Sequence, residues 1–251
     1  MDVKTCFLNE VIEEEVYIER PKGFDVENRE THVCKLHRAL YVLKQAPRAW
    51  YSRIDSYLRE MGFQLSEANP NLYFLTCEVP LILVLYVDDL FLTGDERLIG
   101  DCKSNLAVEF EMKDLGLMHY FLGLEVWQRD GCFFIGQGKY VVDILKRFKM
   151  EDCKPMDIPL VSNWRKIDAS GSDGFDPTLY RQLIGLLMYL VNTRPNISFA
   201  VHSLSEVMVD PQRVHWTVAK HILHYIRGAM EYGLVYERRG SMQLIGFIDV
   251  D

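Results

Sequence analysis

The first half of the chain alternates short apolar runs with amphipathic ones. Residues 81–87 ("LILVLYV") and 90–93 are rich in β-branched and aromatic side chains and read as the two buried strands of a hairpin. Residues 46–63 carry Trp50, Ile54, Tyr57, Leu58 and Met61 on one side at helical spacing, with Pro47 suited to the first turn and Gly62 to the end, so a helix is predicted there. A short strand is expected over residues 2–8, another over 72–75, a helix over 96–110, and two strands around the turn pair Asp130-Gly131 in "HYFLGLEVWQRDGCFFIGQ". The stretch "DASGSDGFDP" (168–177) is small, polar and turn-rich, and three helical patterns follow it. In the last of these, "DPQRVHWTVAKHILHYIRG", Asp210 is the expected N-cap, Pro211 the first helical residue and Gly228 the stop. This order predicts an α+β fold, an antiparallel sheet with helices packed on one side, followed by a helical region.

Composition narrows the class without naming a function. The 251 residues are 49% hydrophobic and 25% charged, ordinary for a globular chain with one or two cores. No apolar run is long enough for a membrane span, and "MDVKTCFLNE" lacks the pattern of a signal peptide. The six cysteines have no C-x-x-C spacing and read as reduced intracellular thiols. A formal net charge of −8 argues mildly against a free-standing nucleic-acid binder, although a local basic face survives such a balance. Residues 10–30 are strongly acidic, whereas Lys35, Arg38, Lys44, Arg48 and Arg53 follow closely.

Asp88 and Asp89 interrupt the apolar hairpin. Two accounts fit. Either the pair is a turn tip sitting in water, or a divalent cation offsets the repulsion of two adjacent carboxylates on a dry flank. The second account needs a third carboxylate from elsewhere, and Asp2, at the start of another apolar strand, is a candidate.

Five stretches occur in order: "MDVKTCFLNE...EEEVYIERPKGF", "LYVLKQAPRAWY", "LYVDDLFLTG", "MKDLGLMHYFLGLEV" and "YRQLIGLLMYLVNTRPNIS". Together they closely resemble the reverse transcriptase of copia-type LTR retrotransposons, over essentially the whole chain. The resemblance implies a polymerase palm over 1–165, a helical thumb-like region over 166–235, and over 236–251 the first strand of an RNase H domain with Asp249 as its first metal carboxylate. It implies RNA-directed DNA synthesis with two Mg²⁺ ions, or Mn²⁺ in their place, held by Asp2, Asp88 and Asp89, with Asp2 and Asp88 the stronger ligands. Such an arrangement suits phosphoryl transfer, in which two ions stabilise the attacking and leaving oxygens together.

Further roles follow from the same resemblance. Phe7 matches the bulky gate against a ribose 2′-hydroxyl, its alternative being a core phenylalanine on a strand. Lys44, Gln45 and Arg48 border the incoming nucleotide and template, or are an ordinary polar helix start. Tyr86 packs near the primer end, or is a plain strand aromatic; Phe121, Leu122 and Gly123 match the turn that grips the primer. Lys113 neutralises or protonates the leaving pyrophosphate, or is a solvated lysine. Arg213, Lys220, His224 and Arg227 fall within an arc of about 60° on the last helix, a stripe that either follows a phosphate backbone or is simply a solvated face. His221 and His224 lack a third partner for zinc. The implied partners are an RNA template, a DNA primer and dNTPs, with the rest of a Pol polyprotein or a dimer partner and no membrane. The implied location is intracellular, in a virus-like particle for an intact element.

Departures from the family pattern set a further expectation. The family has a fingers region before the position of Asp2, Val42 stands where it has glycine, and Glu10 replaces a turn glycine. A glycine permits close backbone approach to a substrate that an isopropyl group obstructs. The chain therefore reads as a truncated copy with little or no polymerase activity of its own, a non-catalytic relic or nucleic-acid-binding remnant being the alternative.

Overall fold

The computed structural model describes residues 1–9, 12, 14–21, 23–24, 32–41, 43–129, 131–162, 164 and 173–237. Glu10, Val42, Asp130, residues 168–172 of the turn-rich stretch, and Asp249 lie outside them. The chain divides into two compact units, residues 1–117 and 118–251, each with its own apolar core. Mixed helices and antiparallel sheets give the α+β class expected. The boundary expected at 165 falls inside the second unit.

In the first unit, β1 (Asp2–Val3), β2 (Tyr17–Ile18) and β3 (Cys34–Lys35) precede α1 (Ala46–Glu60), β4 (Gln64–Leu65), β5 (Leu72–Leu75), β6 (Leu81–Tyr86), β7 (Asp89–Thr93), α2 (Glu96–Glu109) and β8 (Met112–Lys113). Six of these strands form one antiparallel sheet in the order β4-β5-β6-β7-β1-β8. Alternate residues Leu81, Leu83 and Leu85 of β6, with Leu90 and Val3, are buried in one cluster with Trp50, Ile54 and Leu58 of α1 and Cys102 and Leu106 of α2. The period-2 pattern thus puts one sheet face on the helices and leaves the other for polar chemistry.

Local signals explain most boundaries. α1 ends in a Schellman motif: Gly62, at φ 89°, donates its N–H to Arg59 C=O and Phe63 donates to Leu58 C=O. α2 begins at Asp95, whose carboxylate accepts from the N–H groups of Arg97 and Leu98. The strand expected over residues 2–8 stops at Val3. Thr5 turns the chain at φ 51° and Cys6–Asn9 form a 3₁₀ turn. Cys6 and Phe7 are both buried, and two consecutive buried side chains are incompatible with a strand that has one open face.

In the second unit β9 (Tyr120–Phe121), β10 (Leu124–Arg129) and β11 (Cys132–Gly136) lead into α3 (Gly138–Arg147), α4 (Pro177–Leu190), α5 (Ser198–Ser205), α6 (Arg213–Gly228) and β12 (Gly233–Glu237). The sheet order is β12-β11-β10-β9, antiparallel throughout. Because the last described strand pairs with β11, the hairpin belongs with the helices that follow it in sequence. The core joins Val141, Ile144 and Leu145 of α3 to Leu183, Ile184 and Leu187 of α4 and Ile222, Leu223 and Ile226 of α6.

Two expectations change here. α3 lies outside the elements predicted above, although Val141, Ile144, Leu145 and Phe148 recur at helical spacing. α6 begins at Arg213 with Gln212, not Asp210, as N-cap. Phe175 donates to Pro211 C=O and Arg213 to Asp173 C=O, with Gly174 bridging Gln212. That pairing holds residues 211 and 212 extended and delays the helix.

Candidate functional site

The turn between β6 and β7 has two residues, Val87 and Asp88, because Tyr86 pairs with Asp89. Asp89 is therefore the first strand residue, and the Asp-Asp pair straddles the end of the turn rather than forming its tip. Val87 has φ 56°, a region costly for a β-branched side chain. Two contacts hold it there. The Trp50 indole N–H donates to Val87 C=O at 2.6 Å, and Val3 N–H donates to Asp88 C=O at 2.8 Å. Trp50 in turn packs edge-on to Phe110, 5.3 Å between centroids. Its position on an apolar helix face was legible in sequence; its hydrogen bond to the turn was not.

β1 lies between β7 and β8, and the register puts Asp2 opposite Asp89 on one side and Lys113 on the other. Directly paired residues of adjacent strands share a face. Tyr86, Asp89, Asp2 and Lys113 thus form one row across four strands, on the face opposite to buried Leu85, Leu90 and Val3. Leu90 N–H donates to Met1 C=O and Val3 N–H to Asp88 C=O, so Asp2 and Asp89 are a non-hydrogen-bonded pair, the closer kind. They lie 87 positions apart in the chain, and only strand pairing brings them together.

The electrostatics follow from this crowding. Burial, and then the charges of Asp88 and Asp2, push the Asp89 carboxyl above the ordinary aspartate value, with the Met1 ammonium opposing. Crowded hard oxygen donors suit a hard divalent cation. Among the described residues no three His, Cys, Asp or Glu side chains are grouped so as to hold a metal ion by themselves. Asp2, Asp88 and Asp89 therefore do not form such a group by themselves.

Phe7 is 5% exposed, packed edge-on against Tyr41 at 4.5 Å. Tyr41, not singled out from sequence, is 56% exposed and its hydroxyl lies 3.7 Å from Cys6 Sγ. That contact, burial and the Asp88 and Asp2 charges push the phenol up to about 12. Lys44 and Arg48 are exposed, and Gln45 is the N-cap of α1 without a side-chain capping bond. Tyr86 is 42% exposed.

The remaining predicted residues lie in the second unit. Phe121 pairs with Leu124, leaving Leu122 and Gly123 as a two-residue turn. On α6, His224 Nδ1 lies 2.7 Å from Lys154 C=O and Arg227 Nε donates to Glu151 C=O at 2.6 Å. These two members of the basic stripe fasten the segment after α3, whereas Arg213 is exposed and Lys220 half-buried. A separate cavity of about 380 Å³, lined by Trp127, Arg129, Cys132, Phe134 and Val235, contains none of the predicted site residues. No helix among the described residues is long and apolar enough to cross a membrane.

Residues 1–162 match the family model described as reverse transcriptase (RNA-dependent DNA polymerase). The whole chain is similar to a retrovirus-related Pol polyprotein from transposon RE1 of Arabidopsis thaliana, 37% identical and covering 17% of that protein. It is 37% identical to the corresponding polyprotein from transposon TNT 1-94 of Nicotiana tabacum, covering 20% of it. A transposon Ty1-BR Gag-Pol polyprotein of Saccharomyces cerevisiae is 23% identical over 95% of this chain and 14% of its own length. The chain thus spans a fifth or less of these relatives. No solved structure gives a significant match.

Proposed function

Because the chain belongs to the reverse transcriptase (RNA-dependent DNA polymerase) family, we propose that its first unit carries the nucleotidyl-transfer site of a retrotransposon RNA-directed DNA polymerase. The observation that carries this reading is the register of Asp2 against Asp89 beside the Val87-Asp88 turn. On it the six-stranded sheet is the palm, α4 to α6 are the thumb, and Phe121 to Gly123 touch the primer.

Asp2 and Asp88, with Asp89 as the accessory ligand, would hold Mg²⁺ or Mn²⁺ together with the triphosphate of the incoming dNTP. When bound there, the cations would supply charge stabilisation to an in-line displacement. In that displacement the primer 3′ hydroxyl gives up its proton to solvent, its oxygen bonds to the α-phosphorus and the bond to pyrophosphate breaks. Lys113, in register with Asp2, offers its ammonium to the charge left on pyrophosphate. Tyr86, beside Asp89, flanks the primer end, while Phe7 and Tyr41 wall the sugar. Exposed Lys44 and Arg48 meet phosphate or template, and Arg213 and Lys220 the duplex backbone. RNA template, DNA primer and dNTP are the proposed partners, within a larger Pol polyprotein or with a second copy, inside a virus-like particle.

Val42, in place of the family's glycine, is proposed to limit turnover, so the decisive assay reads substrate-linked metal binding. Mn²⁺ is titrated by electron paramagnetic resonance into the chain with a DNA-primed RNA template and dNTP. Asp2→Asn and Asp88→Asn are each expected to weaken Mn²⁺ binding by about tenfold or more. Unchanged binding in both variants would refute the site.

A further inference from the structure

The Leu122-Gly123 turn joins a strand of only two residues, β9, to β10, with Phe121 opposite Leu124 and Tyr120 opposite Glu125. Both turn residues have positive φ, 47° and 80°. That is the pattern of a type I′ turn, which favours Asn-Gly and disfavours a branched leucine at its first position. Two ladder pairs are a weak tether for so strained a turn.

The restraint comes from α4. Tyr189 donates its hydroxyl to Leu122 C=O, and a Cβ on Gly123 would lie 3.2 Å from that same oxygen. Gly123 therefore serves both the backbone angle and the approach of the tyrosine. Tyr189 is itself fixed: Tyr140 of α3 meets it edge-on at 5.1 Å, and the Tyr140 hydroxyl donates to Leu186 C=O on α4. A carbonyl at the turn is thus tied through two tyrosines to the helical core, while the Leu122 side chain stays 47% exposed.

We propose that Tyr189 is a positioning residue for the primer-contacting turn: its hydroxyl holds Leu122 in the left-handed conformation that presents the turn to the primer terminus. The proposal rests on reading Phe121 to Gly123 as a primer contact, and its test separates the two. Tyr189→Phe keeps the ring packing and removes only the donor. Hydrogen exchange of the Val126 amide, which donates to His119 C=O at 2.9 Å across the same hairpin, reports turn order without any nucleic acid. Exchange is expected to speed up about threefold to tenfold, the worth of one hydrogen bond. Affinity for a DNA primer recessed on an RNA template, read by fluorescence anisotropy, is expected to fall by a similar factor. Leu122→Asn in the Tyr189→Phe background creates an Asn-Gly pair that adopts the turn unaided, so it should restore slow exchange of the Val126 amide. A purely structural tyrosine would not be rescued there. Unchanged exchange in Tyr189→Phe overturns the brace itself. Faster exchange with unchanged primer affinity overturns the proposal through its premise, showing that the turn does not meet the primer.

Discussion

Replacing Asp89 by asparagine is expected to stabilise the metal-free chain, although it removes a residue assigned to catalysis. Asp2 and Asp89 face one another as a non-hydrogen-bonded antiparallel pair, a geometry with Cα atoms about 4.5 Å apart. Two carboxylates about 5 Å apart repel by ~3 kcal/mol at an effective dielectric constant near 20, and by under ~1 kcal/mol in bulk water. Both side chains are partly open to solvent, and the Met1 ammonium offsets some of the repulsion, so the low end applies. A gain of about 1 kcal/mol, a few degrees of melting temperature for a domain of this size, is the expectation at neutral pH in a chelator. The sign of the pH dependence follows from the raised Asp89 value. Between the unfolded and folded values the native state binds more protons than the unfolded one, so wild-type stability falls as pH rises through that window. The advantage of Asp89→Asn therefore vanishes below the ordinary aspartate value and is complete above the raised one. Adding Mg²⁺ should stabilise the wild type more than the variant, because the cation relieves what the substitution removes. Thermal melts of both proteins, in chelator and in Mg²⁺ and across pH, make the comparison. A variant less stable than wild type at neutral pH in chelator would refute the argument, since it would mean the carboxylates are mutually satisfied rather than repelling.

Trp50→Phe removes the donor to Val87 C=O and part of a buried ring, for an expected loss of about 2–3 kcal/mol in urea unfolding. Exchange of the Val3 amide, bonded to Asp88 C=O, should accelerate as the turn relaxes and recover when Val87→Gly is added, because glycine holds the positive φ without a brace. His215 Nδ1 accepts from the Gln212 N–H at the start of α6, and burial pulls this imidazole below the ordinary histidine value against the opposing charge of Asp210. The unfolded state then binds the proton first, so stability should fall as pH drops below about 6.5. His215→Gln, an acceptor that does not titrate, should flatten that part of the stability–pH curve; an unaltered curve would assign the titration elsewhere.

Much of the architecture is local and was legible. Helical spacing located α1 and α6, and β-branched and aromatic runs located β6 and β7, because such preferences are written in the residues of the element itself. Pro47 and Gly62 marked ends through backbone chemistry that needs no partner. The strand over 2–8 and the N-cap at Asp210 failed for one reason: contacts from other elements, the core beneath Cys6 and Phe7 and the pairing of residues 173–175 with 211–213, overrode a reasonable local choice. The paired aspartates stood out in sequence because apolar flanks are an unusual setting for two charges. Yet the row Tyr86, Asp89, Asp2 and Lys113 depends on β1 entering between β7 and β8, and no local pattern states which strands become neighbours. The braces are hidden more deeply still. Trp50 and Tyr189 look in sequence like ordinary members of apolar helix faces, and an indole or phenol becomes a hydrogen-bond donor to a strained carbonyl only when folding brings a distant turn against it.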